Sequence, residues 1–419
     1  MKKARFYSGI FVALLAITFQ GCAEPEKSTH IETDMAALED VYQTRFSAYA
    51  AGNLSGLNLY DPLKVVNGAK NYTPFQITQS EFISRQAIDA AMDYLEDRRT
   101  TSFWIWHNGE LVAQKYFGEQ TAEDTINSRS LAKPLSVIAV GRAIKASHIA
   151  SLDQPASDFF HEWRNDDRSK ILVRHLLDMR TGLMAQSQEK DPNHVMNKAY
   201  LHPAHDKIII DEYPLINEPG SRYDYANANS ELVAPLIERA TGQQYEDWIS
   251  NEILNPLGAR GGEVWMNRKD GTAHSGCCTL LHPESFLRLA ILYLNDGNWE
   301  GKRLLPEGFV DQVKTGTPQY PHAGMGVYIA GNYIEARGPS NPDIPFGKTK
   351  HGEPYLAADL FLFDGNGNQV AYIIPSADMV IFRSGTWPSK ELGWDNSVLP
   401  NIILAGTEFP DGKAPVPQK

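Results

Sequence analysis

The chain has 419 residues, 42% of them apolar and 10% aromatic. That is enough to fill a sizeable core and too apolar for wholesale disorder; the length allows two or three average domains, or one large domain with an insertion. The formal net charge of −12, with no basic stripe, excludes nucleic-acid backbones and anionic lipid as main partners, because both need clustered Lys and Arg.

Lys2, Lys3 and Arg5 form a positive start, followed by the apolar run 6–19. That run is shorter than the roughly 20 residues that span a bilayer and reads as the core of a secretory signal. It ends in Phe19-Gln20-Gly21-Cys22, which resembles the lipobox of bacterial lipoproteins, where a small residue admits the peptidase and the Cys thiol takes the lipid. The resemblance implies that 1–22 is a lipoprotein signal and that Cys22 is lipidated, anchoring an exported chain to a membrane. With Ala23 next, it implies the periplasmic face of the outer membrane. Ordinary signal cleavage nearby would instead leave a soluble periplasmic protein.

After Cys22, only Cys277 and Cys278 remain. Consecutive α-carbons lie closer than an ordinary disulfide spans, so the pair is expected to be two buried, small, apolar residues. The fold would then rest on its core with no structural disulfide.

Residues 23–79 read as a tether and N-terminal segment with a helix around 35–51. Helical apolar spacing covers 80–96, with Ser80 as its cap. Two strand-like runs, 102–106 and 110–116, flank His107-Asn108-Gly109, and Asn-Gly is a strong hairpin signal. An apolar helix is predicted over 130–145. From 152 to 294 the pattern is mostly helical, in segments 171–179, 230–241, 245–253 and 284–294. Strands are predicted again at 324–329, 359–363, 369–374 and 379–383, with a turn over 364–368. A helix limited by Pro400 is expected over 391–404, and 406–419 is a tail. Strands at both ends and helices between them imply one sheet built from both ends of the chain, with a helical lobe across it and a cleft between the two.

Two motifs carry chemistry. In Ser130-Leu131-Ala132-Lys133, helical spacing puts Lys133 on the face of Ser130. A serine hydroxyl is a poor nucleophile until a base takes its proton, and a partly buried lysine can serve as base or relay. The Ser130 N–H, at a helix start, can face a developing oxyanion. Pro134 fits the first helical turn. Ser187-Gln188-Glu189-Lys190 repeats the spacing, but in a polar loop. In Tyr225-Ala226-Asn227, a tyrosine beside an ammonium loses its proton more easily and can shuttle it. Asn227 would orient Lys133 or bind the substrate carbonyl. Tyr293-Leu294-Asn295 repeats this pattern on an apolar helix and reads as core.

With these motifs go the hairpin at His107-Asn108-Gly109, the segment 173–183, Pro219–Asn227 and Asn255-Pro256-Leu257-Gly258. Gly365–Gln369 comes last, before a strand ending in Pro375. Together and in order, across 80–405, they resemble the serine β-lactamase-related family. That family holds class C β-lactamases, D-alanyl-D-alanine peptidases, esterases and 6-aminohexanoate-oligomer hydrolases. The resemblance implies an α+β, β-lactamase/transpeptidase-like fold: an antiparallel sheet flanked by helices, plus an all-helical lobe at about 152–294. It implies an acyl-enzyme on Ser130, with Lys133 and Tyr225 moving protons and water releasing the acid, and neither a cofactor nor a metal. The segment 174–182 would be scaffold beneath the cleft.

The third motif departs from the β-lactamases, whose Lys-Thr-Gly or His-x-Gly holds the substrate carboxylate. Lys348-Thr349-Lys350 lies about a strand too early. The residues in register, Gly365-Asn366-Gly367-Asn368-Gln369, resemble instead the Gly-x-x-Gly-Gln of the esterase and oligomer-hydrolase branch. Asn368 replaces the second glycine. Gly365 lets the backbone approach the substrate, and the Asn366 N–H would be the second oxyanion donor. The expected substrate is a small ester or amide. A β-lactamase or D-alanyl-D-alanine peptidase, and a non-catalytic cell-envelope binding lipoprotein, are the alternatives. His202-Pro203-Ala204-His205-Asp206 has metal-capable side chains but reads as a loop, and Trp104, Trp106 and Trp265 read as core or cleft wall.

Overall fold

The computed structural model describes residues 1, 35–51, 60–187, 189–338 and 348–419. Residues 2–34, with Cys22, and 52–59 lie outside the described residues, and with them the signal segment and part of the expected tether. The chain from Ala36 onward forms one compact unit. Among the described residues, no helix is long and apolar enough to cross a membrane.

The main sheet is antiparallel and six-stranded, and it is built from both ends of the chain. Its order is Glu110–Tyr116, Thr100–His107, Met379–Gly385, Gln369–Ile374, Phe361–Gly365, Tyr328–Ile329. The first hairpin forms where its sequence dictates. Asn108 and Gly109 take φ values of 50° and 82°, the doubly left-handed turn that matches strand twist. Alternation then sorts the side chains. Phe103, Ile105, Tyr372 and Ile381 pack with Leu95 of helix Arg85–Glu96 and Ile403 of helix Val398–Ala405. Trp104, Ala371 and Phe382 face the other way, onto Phe286 of helix Pro283–Leu294 and the core that continues into the helical residues.

Several elements are shorter or shifted relative to expectation. The helix expected from 80 starts after Ser84, whose side chain caps Ala87 N, while Ser80 Oγ closes a preceding turn on Phe82 and Ile83. The C-terminal helix is Val398–Ala405, with Pro400 in its first turn, where no N–H bond is lost. The helical stretch also contains parts of a second sheet. Its order is Leu63–Val66, Gly262–Trp265, Thr279–Leu281, Ile126–Asn127. These strands are two to four residues long and distant in sequence, so none shows a periodicity.

Cys277 and Cys278 correct the sequence reading. Both are buried, as expected, but they are joined by a disulfide. The expectation applied the α-carbon spacing of bridges between separate segments. A neighbouring pair closes an eight-membered ring through its own peptide, so that spacing does not govern it.

Candidate active site

The second sheet aims the nucleophile. Strand Ile126–Asn127 runs into a 3₁₀ turn, Arg129–Leu131, which holds Ser130, and the α-helix proper is Ala132–Lys145. The helix therefore starts two residues later than expected. Arg129 sits at φ 48°, a conformation that costs a non-glycine residue of order 1–3 kcal/mol and persists only where its surroundings fix it. The surroundings are on both sides. Ser128 N donates to Thr279 O (2.9 Å), Ser128 Oγ accepts from Thr279 N (3.0 Å), and Asn127 Oδ1 accepts from Arg129 N (3.0 Å). From the main sheet, Gln369 Nε2 donates to Asn127 O at 2.7 Å.

Lys133 lies one turn on and is 4% exposed. Its ammonium donates to Ser130 Oγ at 3.2 Å, Asn227 Oδ1 at 3.0 Å and Gly276 O at 2.9 Å. Three acceptors use its three N–H bonds and compensate for its burial. Tyr225 completes the group: its hydroxyl is 2.8 Å from Ser130 Oγ, and its ring lies 4.9 Å from Lys133 Nζ. Asn227, at the head of helix Asn227–Glu231, accepts from Lys133 and so can orient it. Tyr225 is placed by main-chain bonds on either side, Gln186 N to Tyr225 O and Asp224 N to Met179 O. The second of these ties the segment 174–182 to the stretch that carries Tyr225.

The third motif closes the site. Gly365 is the last residue of strand Phe361–Gly365 and pairs with Gln369. A Cβ on Gly365 would come within 3.1 Å of Leu131 Cγ and Ser128 O, so glycine lets this strand lie close against the Ser130 turn. Asn366 follows, exposed at the turn. Gly367 and Asn368 at φ 87° and 59° tie the hairpin. Its carbonyls at Gly367 and Asn368 accept from the buried Arg383 guanidinium at 2.7 and 2.9 Å. Ser130, Tyr225, Asn227, Gly365 and Asn366 all line one cleft of about 640 Å³.

Sequence reasoning missed three features of this cleft. Gly276 contributes a carbonyl, which leaves no mark in a side-chain motif. Asp364 projects into the cleft and is ion-paired with Arg337, whose guanidinium also stacks on Tyr328, 3.7 Å from its ring. Trp387 and Trp394 form part of the wall, whereas Trp104 and Trp265 are core. The repeat motifs separate as expected in part. Tyr293 is buried in the core. Ser187 lines the cleft, but its hydroxyl donates to Glu189 Oε1 at 2.9 Å.

Of the metal-capable loop, His202 lies beside Glu39 and Tyr42. His205 instead joins Glu231 and His274 in a fully buried group, with one possible ligand atom from each within 4.8 Å of the others. The two imidazoles stack 4.1 Å apart and 12° from parallel. Nitrogen lone pairs lie in the ring plane, so those of stacked rings run side by side and do not converge on an ion; this arrangement does not fit a metal.

The geometry can run acyl transfer. A nucleophilic oxygen has two proton-handling groups within hydrogen-bond reach and sits where a strand-end amide can meet the oxyanion. Residues 85–270 match the family described as beta-lactamase. The chain is 24% identical over 234 residues to the 6-aminohexanoate-dimer hydrolase of Paenarthrobacter ureafaciens, covering 53% of this chain and 59% of that protein; it thus matches about three-fifths of that relative's length. Among solved structures, a family VIII carboxylesterase superposes with a TM-score of 0.59 at 13% identity, covering 80% of this chain and all of that one. A penicillin-binding protein homologue from Caulobacter crescentus superposes with a TM-score of 0.57 at 15% identity, with 80% and 100% covered. In its fold, its ordered motifs and the match over 85–270, this chain is similar to the serine β-lactamase-related family.

Proposed function

We propose that the protein is a serine hydrolase that cleaves an ester or amide bond through an acyl-serine. The observation that carries this is the continuous contact Lys133 Nζ–Ser130 Oγ–Tyr225 OH, at 3.2 and 2.8 Å. Lys133 and Tyr225 take the Ser130 proton as Oγ attacks the carbonyl. The Ser130 and Asn366 amides receive the oxyanion, and Tyr225 returns the proton to the leaving oxygen or nitrogen. Water then repeats the sequence to release the acid and restore Ser130.

The substrate we favour is a small ester or linear amide like those of the esterase and oligomer-hydrolase branch. A β-lactamase or D-alanyl-D-alanine peptidase needs a cation for the substrate carboxylate, and the strand that would supply it presents Asp364, already paired with Arg337. We further propose that the chain is exported and tethered through a lipid on Cys22. Loss of membrane association in Cys22→Ala tests that part, and an unchanged membrane fraction counts against it.

The test of the chemistry is intact-mass analysis after a fluorophosphonate probe, with Ser130→Ala alongside. One adduct on the wild type and none on the variant supports the reading, and hydrolysis of p-nitrophenyl esters should follow. A folded wild type that takes no adduct defeats it in favour of a binding protein. Rapid nitrocefin turnover would move the substrate to the β-lactams.

A further inference from the structure

Glu231 is fully buried and takes no part in the steps above. It ends the short helix that begins with Asn227, four residues on and so on the same face. Its carboxylate lies against the main chain at Gly276: a Cβ there would sit 2.9 Å from Glu231 Oε1 and 2.8 Å from Ser230 Cβ. The next carbonyl along this strap, Gly276 O, is the acceptor 2.9 Å from Lys133 Nζ.

The strap is held on its other sides by hydroxyls. Ser275 Oγ donates to Ser230 O at 2.6 Å and accepts from Ala234 N at 3.0 Å, and Ser136 Oγ donates to Ser275 O at 2.6 Å. Burial raises the Glu231 carboxyl above the usual carboxylate range, with Lys133 and the Gly276 and Ser275 amides pulling the other way. No full-strength hydrogen bond reaches either carboxylate oxygen, so the carboxylate acts through its field and shape. Its nearest imidazole nitrogens are His274 Nδ1 at 3.4 Å and His205 Nε2 at 3.7 Å. Burial holds both rings far below the usual histidine range, His205 at about 3. They are neutral near pH 7 and do not compete with the Lys133 cation. Arg45, Arg268 and Asp206 act on these rings from further out.

We infer that Glu231 is a positioning residue for Lys133: its carboxylate seats the Ser275–Gly276 strap, and the strap presents the Gly276 carbonyl to the Lys133 ammonium. Glu231 touches no reacting atom. The inference rests on the proposed role of Lys133 as the group that deprotonates Ser130.

The experiment compares wild type, Glu231→Gln and Glu231→Ala, each shown to be folded, by single-turnover acylation with a p-nitrophenyl ester across pH and by hydrogen exchange at the Ser275 and Gly276 amides. Glu231→Ala should acylate about tenfold to 100-fold more slowly, as a misplaced catalytic group does. Glu231→Gln, which keeps the shape, should recover much of that rate. Exchange at the two amides should quicken in Glu231→Ala. An unchanged acylation rate in Glu231→Ala, no recovery in Glu231→Gln, or unchanged exchange overturns the inference. If the wild type takes no fluorophosphonate, the hydrolase reading fails, and exchange alone still decides whether Glu231 seats the strap. Stoichiometric zinc in the purified wild type, lost in His274→Ala, would replace this role with a metal centre.

Discussion

The hydroxyls of Tyr225 and Ser130 lie 2.8 Å apart, with no side chain between them. The tyrosine proton and the serine proton therefore share one short path, and the ring beneath it lies 4.9 Å from the Lys133 ammonium. Tyr225→Phe keeps that ring and deletes only the path. Acylation of a p-nitrophenyl ester should fall by about 10²–10⁴-fold, the range for a lost acid–base group, while thermal unfolding shifts by about 1 kcal/mol or less, because Tyr225 is only half-buried. Equal single-turnover rates would remove Tyr225 from the mechanism.

Lys133→Met tests a different consequence. The substitution leaves Asn227 Oδ1 and Gly276 O without their donor, at a cost of about 1–3 kcal/mol for each buried acceptor left unsatisfied. It should stop acylation and also lower stability in urea. A variant that still acylates at the wild-type rate would show that some other group is the base.

Gly365→Ala probes the approach of the third-motif strand. The new methyl would meet Leu131 Cγ and Ser128 O at 3.1 Å and Leu131 N at 3.2 Å, and two of those three atoms are main chain. Overpacking of this kind costs about 1–3 kcal/mol. Because the displaced turn carries Ser130, kcat should fall more than KM rises. Kinetics matching wild type would mean that the strand and the turn are not mechanically linked.

How far the sequence could be read follows from where each signal resides. Ser130, Lys133, Tyr225 and Asn227 were legible because a helix or turn fixes their spacing along the chain, and the structure brings all four together. The hairpin at Asn108-Gly109 was legible because only certain residues tolerate its backbone angles. Gly276 was not, since a carbonyl oxygen is common to every residue. Nor were the Arg337–Asp364 pair and Glu231, whose partners are set by tertiary packing. The second sheet escaped because its strands are too short to show alternation, and the Cys277–Cys278 bond because a rule for distant segments was applied to neighbours.

Stability should fall as the solution is acidified. Burial, with Arg180 and Arg174 nearby, depresses His175 to about 4, against about 6.5 for an unfolded histidine. Between pH 6.5 and 4 the unfolded chain binds a proton that the folded chain refuses, so stability is full above 6.5 and is lost as pH falls towards 4, by roughly 1 kcal/mol per pH unit. Glu238, pushed up to about 8 by burial, works oppositely and withdraws stability as pH rises from about 4.5 to 8. His351, held at about 4 by burial, adds to the same limb, so His175→Gln should make the loss of stability between pH 6.5 and 4 shallower in urea titrations without abolishing it; an unaltered slope there would dissociate His175 from the acid sensitivity.

The sheet order has a consequence for how the molecule comes into being. Strand Thr100–His107 has one neighbour, Glu110–Tyr116, just across the Asn108-Gly109 turn, but its other neighbour is Met379–Gly385. Gly365 and Gln369, which brace the Ser130 turn, belong to that late hairpin. During synthesis, the first 300 or so residues can form helices, one edge of the sheet and the Thr279 side of the nucleophile's support, yet the main-sheet side arrives only with about the last eighth of the chain. Such long-range pairings are slow to close. A chain truncated before residue 360 would therefore hold every residue of the Ser130–Lys133–Tyr225 group and still be inert.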